Sequence, residues 1–146
     1  MSDTPTIHAS AVLIGAKAAL IRGPAGSGKS QLAWKLLQGA LPFARLVADD
    51  RAHIEAQAGR LLVRPPSALA GLFEIRGLGI RRVPYEPVAA VGLVVDLAAA
   101  DADRLPAREA GQITLEGVGL PRLAIALGMP ALPLVLAFLG SSPAGI

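Results

Sequence analysis

The chain has 146 residues, 53% of them apolar and only 3% aromatic, enough to bury a core made mainly of Leu, Val, Ile and Ala. It contains no cysteine, which excludes a disulfide framework, a thiolate metal site and a cysteine nucleophile. The net charge of +3 comes from scattered bases with no basic run interleaved with aromatics, so nucleic acid is not an indicated partner.

Met1-Ser2-Asp3-Thr4-Pro5 is polar and acidic and does not read as a secretory signal. Residues 7–14 read as a strand, Gly15 and Lys17 as a turn, and Ala18 to Arg22 as a second strand. Residues 29–38 have helical spacing, with Leu32, Leu36 and Leu37 on one face and Gly39 as the stop. Leu46-Val47-Ala48 is a short buried strand running into Asp49-Asp50. His53 to Gln57 and Arg60 to Val63 form a hairpin around Ala58-Gly59, and Pro65-Pro66 breaks the chain before one or two helical turns at 67–72. Phe73-Glu74-Ile75 is a strand entering Gly77-Leu78-Gly79. Val88 to Leu97 is the strongest strand and suits a central, doubly covered position. Gln112 to Glu116 is a further strand, and residues 131–139 form a closing helix.

The most apolar stretch, Leu120 to Leu139, is interrupted by Arg122, Gly128, Pro130 and Pro133, so no run of about 20 apolar residues is available to cross a membrane. A cytoplasmic protein is expected. Strands outnumber helices and several are joined by tight turns. The expected fold is therefore α/β, a mixed twisted sheet with a phosphate loop. Residues 1–140 are expected to form one domain, with 141–146 as a frayed tail.

Gly23-Pro24-Ala25-Gly26-Ser27-Gly28-Lys29-Ser30 matches G-x-x-x-x-G-K-S, after a strand and before a helix, where its mechanism needs it. The glycines let the backbone wrap closely and aim N–H groups at phosphate oxygens, and the helix adds its positive N-terminal end. Lys29 is placed to reach the β- and γ-phosphates of ATP, and the Ser30 hydroxyl to ligate Mg²⁺. Asp49-Asp50 suits a Mg²⁺ ligand or a base that takes a proton from an attacking hydroxyl, and equally an Asp pair capping a turn. By itself Glu74 reads as a solvated residue, and Arg76 beside glycines equally as a phosphate contact or an exposed arginine.

In combination these segments resemble the catalytic C-terminal domain of HPr kinase/phosphorylase, over a stretch from His8 to about Ile125. His8 stands fifteen residues before Gly23, where the family has a His-Gly pair, with Ala9 here in place of the glycine. Arg45-Leu46-Val47-Ala48-Asp49-Asp50 is like the family's R-L-[VI]-A-D-D, and Glu74-Ile75-Arg76-Gly77-Leu78-Gly79-Ile80 matches its signature in full. The resemblance implies a fold shared with distant phosphoenolpyruvate carboxykinases. The implied activity is an ATP- and Mg²⁺-dependent serine kinase acting on the HPr-type phosphocarrier, with phosphorolysis as the reverse reaction.

By the same resemblance Asp49 is the catalytic base, and Asp50 and Glu74 stand around the metal ions. Arg76 lies near the phosphates, Arg104 is tied to the phosphorylase reaction, and His8 lies near the reacting phosphate, although a histidine at a strand start needs no chemical role. The implied partners are the carrier protein, ATP, inorganic phosphate and further copies of the chain, with neither nucleic acid nor membrane. The form resembled is the short, single-domain one known from alphaproteobacteria. The family's later glycine-arginine-asparagine segment has no match here, and Val118-Gly119-Leu120-Pro121-Arg122-Leu123 aligns only in part with its V-P-V-P-[KR]-I. Two rival readings are a small-molecule kinase, with a lid drawn from residues 84–90 or 98–111, and a nucleotide sensor without turnover.

Overall fold

The computed structural model describes residues 5–39 and 41–144. In chain order the elements are β1 (Thr6–Ile7), β2 (Ala9–Ile14), β3 (Lys17–Arg22), α1 (Lys29–Leu37), β4 (Ala44–Ala48), β5 (Ala52–Gln57) and β6 (Arg60–Arg64). A 3-10 turn at Ser67–Leu69 then leads to β7 (Leu72–Ile75), β8 (Gly79–Arg82) and β9 (Ala89–Leu97). A second 3-10 turn at Arg108–Gly111 precedes β10 (Gln112–Leu115), β11 (Val118–Ile125) and α2 (Ala131–Leu139).

Among the described residues nine strands form one sheet in the order β1-β5-β6-β9-β3-β2-β4, with β11 joined to β9 and β10 to β11. Strands β3, β9 and β11 run parallel, and the remaining pairs are antiparallel. The sheet is thus mixed, as the sequence leads one to expect. β9 is central: β3 lines one edge, while the other pairs first with β6 at Ala89 and Ala90 and then with β11 from Val94 onward.

Side chains of alternate strand positions feed two cores. One gathers Ile21, Leu93, Val95 and Leu97 under Leu32, Ala33 and Leu36 of α1 and Val135 of α2. Among the described residues the other contains no buried helical residue; Leu20, Ile54, Leu61, Val63, Val94 and Leu120 meet there because the sheet curls over its own face. Gly92 sets the phase between them. Ala18 pairs with Val91 and Ala19 with Leu93, so Gly92 is the extra residue of a bulge. A Cβ there would lie 2.7 Å from Cβ of Lys17.

The chain departs from the sequence reading in four places. The first strand is split at His8, which sits in a bend. Leu37 is only half buried, and Ala33 takes its place on the inner face of α1. Two strands were not expected at all. β8 is exposed along its whole length and has no apolar face to announce it. β11 contains Gly119 and Pro121, which weaken a strand signal; Pro121 pairs with Gln112 of β10, a short outer strand. Residues 141–144 have no regular structure, and Gly145 of the expected tail lies outside the described residues, as do Met1 to Thr4 of the polar N-terminus. Among the described residues no helix is long and apolar enough to cross a membrane.

Candidate functional site

Strand direction decides what meets at one end of the sheet. β3 runs into the phosphate loop, β2 starts beside its end with Ala9 opposite Arg22, and β4 ends beside the start of β2 with Ala48 opposite Ala11. The carboxyl ends of β3 and β4 and the amino end of β2 therefore converge. That edge is where open α/β sheets place ligands.

The loop from Gly23 to Ser30 joins β3 to α1. At Gly23 a Cβ would lie 2.5 Å from Oγ of Ser27 and 3.1 Å from Leu97, so no larger residue fits. Gly28 caps α1 with φ 98°, a left-handed conformation that favours glycine, and its carbonyl accepts from the N–H of Leu32 at 3.0 Å. Lys29 is buried, and its ammonium donates to the carbonyls of Gly23 at 2.8 Å and Pro24 at 3.2 Å. Oγ of Ser27 is buried without a partner among the described residues, an unmatched polar atom of the kind found where a ligand completes the bonding.

Beside the loop stands Asp49, half buried after β4. Its Oδ1 accepts from the hydroxyls of Ser30 at 2.7 Å and Ser10 at 2.9 Å. Ser10 is completely buried on β2, and its Oγ also accepts from the Asp50 N–H at 3.2 Å. The turn is closed by the Ala9 N–H donating to the Asp50 carbonyl at 3.2 Å, while Asp50 itself adopts φ 72°. The Asp pair thus makes a turn, as one of its two readings had it. The carboxylate of Asp49 faces the phosphate loop, as the other required. Oδ2 of Asp49 has no hydrogen-bond partner among the described residues.

Ser10 was not legible as a site residue. The available signal was a lone polar side chain inside Ala9-Ser10-Ala11-Val12, since a buried hydroxyl needs a partner.

The other candidates are gathered less tightly. Glu74 and Arg76 are exposed and line, with Ser30, Gln31, Trp34 and Phe73, an open cleft of about 390 Å³ beside the first turn of α1. Among the described residues no group of three His, Cys, Asp or Glu could hold a metal alone. Asp50 and Glu74 therefore form no ready cage. A divalent ion beside Ser30 and Asp49 would complete its shell with phosphate and water oxygens, which is the habit of Mg²⁺. His8 is exposed at the bend just before β2. Arg104 is exposed in the loop after β9, its N–H donating to the preceding Asp103, and it lines neither cleft beside α1.

A charge cluster the sequence did not suggest closes the neighbouring strand ends. Asp96 of β9 accepts from Arg22 twice at 2.8 Å and from Arg122 at 2.6 Å, and Arg122 also reaches Asp101 at 2.8 and 2.9 Å. Burial alone would raise the Asp96 pKa, but the bonds from Arg22 and Arg122 outweigh it and hold the carboxyl below its ordinary value of 3.8. Two arginines share two carboxylates here, so the cluster fixes β3, β9 and β11 immediately before Gly23 rather than offering an anion site.

A model of the HPr Serine kinase C-terminal domain matches residues 1–127. The chain belongs to this family. HPr kinase/phosphorylase of Clostridium tetani is 43% identical over 65 residues, which are 44% of this chain and 20% of that protein. The alignment thus spans about a fifth of that curated relative's length. The HPr(Ser) kinase/phosphatase from Coxiella burnetii has the same fold, with a TM-score of 0.73 over 92% of this chain and 87% of that one at 24% identity. Family membership bears out the resemblance drawn from Asp49-Asp50 and the Glu74–Ile80 segment, and the shared fold bears out the mixed α/β sheet.

Proposed function

We propose that the chain is an ATP- and Mg²⁺-dependent serine kinase whose acceptor is an HPr-type phosphocarrier, with residues 1–140 acting as one unit. The observation that carries this reading is the Asp49 carboxylate, fixed through one oxygen by Ser10 and Ser30 at the mouth of a phosphate loop. A pure nucleotide binder has no need of a carboxylate presented with its second oxygen free.

In this mechanism the loop amides and Lys29 hold the triphosphate and absorb charge that builds on the transferring group. Mg²⁺, when bound, supplies further neutralisation of the phosphate oxygens. Asp49 orients the acceptor serine and takes its proton through Oδ2. Ser10 and Ser30 keep the carboxylate from turning away. Glu74 and Arg76 stand on the open cleft where an acceptor segment approaches. A small-molecule kinase would instead want a lid over that cleft, and residues 103–109 lie exposed to solvent.

The test is incubation with labelled ATP, Mg²⁺ and candidate HPr-type proteins, with the modified residue mapped. Label on a carrier serine is expected; transfer to small hydroxyl compounds but to no carrier would overturn the reading. The reverse reaction brings inorganic phosphate against a phosphoserine, and like charges that close need extra cations. With Arg104 outside the site clefts, phosphorolysis is expected to be much slower than the forward reaction, which pyrophosphate release would measure.

A further inference from the structure

A second cleft of about 150 Å³ borders the loop on its other flank. One wall is Ser27 and Gly28 of the loop with Gln31 of α1, and the opposite wall is the segment carrying Leu127 and Met129. These two side chains are 83% and 53% exposed and stand side by side on one turn. The turn is built to present them: Gly128 adopts φ 84°, and the Met129 N–H donates to the Ala126 carbonyl at 3.0 Å.

Sheet order says which end of a nucleotide lies here. β4, with Asp49, is on one side of β3, and β9 is on the other. On the phosphate-loop reading Ser30 would hold the metal and the base Asp49 would face the terminal phosphate, and the two are hydrogen-bonded to each other on the β4 flank. A triphosphate is a linear chain, so with its reacting end there its remainder extends toward the β9 and β11 flank. That flank is where the second cleft opens, continuous with the loop at Gly28 and offering both polar groups, Ser27 and Gln31, and the apolar Leu127 and Met129.

We propose that this cleft seats the base of the nucleotide, with Leu127 and Met129 closing over one face of the ring. The inference rests on the phosphate-loop reading and extends it to the rest of the ligand. The neighbouring cleft at Glu74 and Arg76 is left for the acceptor.

The two parts of the ligand can be tested apart, using MgATP and inorganic tripolyphosphate with Mg²⁺ as probes in calorimetry. The variant is Leu127→Ser with Met129→Ser, neutral changes at exposed positions that keep the fold, as circular dichroism would check. It is expected to weaken MgATP about tenfold, the scale of losing apolar contact with a base, and to leave tripolyphosphate binding unchanged. Lys29→Ala is expected to weaken both. Equal losses of the two probes in the double serine variant, or no loss of MgATP, would overturn the base site while leaving the phosphate loop standing. Unchanged binding of both probes to Lys29→Ala would remove the phosphate-loop reading and the proposal with it.

Discussion

The phosphate-loop end of the main sheet and the β7–β8 hairpin both carry charged groups of the candidate site, but they hold them in different ways. At the sheet end Lys29 and Asp49 are each gripped by two partners, and Ser10 beneath them is fully buried. The hairpin is a two-stranded sheet of its own, anchored through Phe73, which is buried and meets Trp34 with ring centroids 5.5 Å apart. Its Glu74 and Arg76 are exposed, and so are Leu78 and Ile80 at 65% and 70%. An isolated hairpin is marginally stable in water, so this one depends on its anchors in the core, Phe73 with Ile75 packed beside the same cluster. On the proposed reading, the groups that would act on a phosphate are preorganised by the fold, while those on the acceptor cleft are left free.

If the sheet end is the preorganised half, damage there should dominate. Lys29→Ala removes the loop's one full positive charge and is expected to abolish tight MgATP binding, a loss beyond about a hundredfold for a charged partner of phosphate. Unchanged affinity in a folded variant would break the comparison at its strongest point. Asp49→Asn keeps shape but cannot accept a proton; it should lower phosphoryl transfer by about 10² to 10⁴ while MgATP affinity stays within a few-fold. Transfer close to that of the parent chain would show that Asp49 is not the base.

The foundation under that half can be broken separately. Asp96→Asn leaves Arg22 and Arg122 facing each other in a partly buried site, and about 3 kcal/mol of stability should be lost. In the unaltered chain the same contribution should appear as a dependence of stability on pH. Because the folded pKa of Asp96 is depressed, its contribution is present above the unfolded value near 3.8 and fades as pH falls below it. Thermal melts between neutral pH and about pH 3 would read this loss, and Asp96→Asn should flatten it. Equal acid sensitivity in both proteins would count against the assignment.

Subtler changes sharpen the contrast. Ser10→Ala removes one of two bonds that aim Asp49, and kcat is expected to fall about tenfold with little change in KM for ATP, the scale of one buried hydrogen bond to a charged group. A matching rise in KM would point to general loosening of the loop instead. Arg76→Ala on the hairpin should be mildest, leaving MgATP affinity within about twofold, since an exposed charge adds little to binding. Any larger effect should appear in KM for the carrier. A strong loss of ATP binding would mean that the hairpin belongs to the preorganised half.

Much of this was readable in the sequence because it is local. The loop motif, the spacing of Leu32 and Leu36, and the apolar run of β9 each carry their signal within a few residues. What escaped depends on distant pairing. Ser10 matters only because Asp49, 39 positions away, turns back beside it. Arg122 looked like a break in an apolar stretch because its partner Asp96 lies 26 positions upstream on another strand. β8 exists because Gly77 turns the chain back onto β7, with Glu74 opposite Ile80, and no buried face marks it. The roles of Glu74, Arg76 and Arg104 came from family likeness, and the geometry places only the first two on a cleft beside the loop.

Lys29 closes the loop on itself. With its ammonium bonded to the carbonyls of Gly23 and Pro24, the cradle is closed by an internal competitor. An entering anion must exchange both charge-assisted bonds for its own, and a small singly charged ion offers too few oxygens to do so. A chain of phosphates offers several at once. On the phosphate-loop reading, the exchange therefore favours a ligand that brings several oxygens at once.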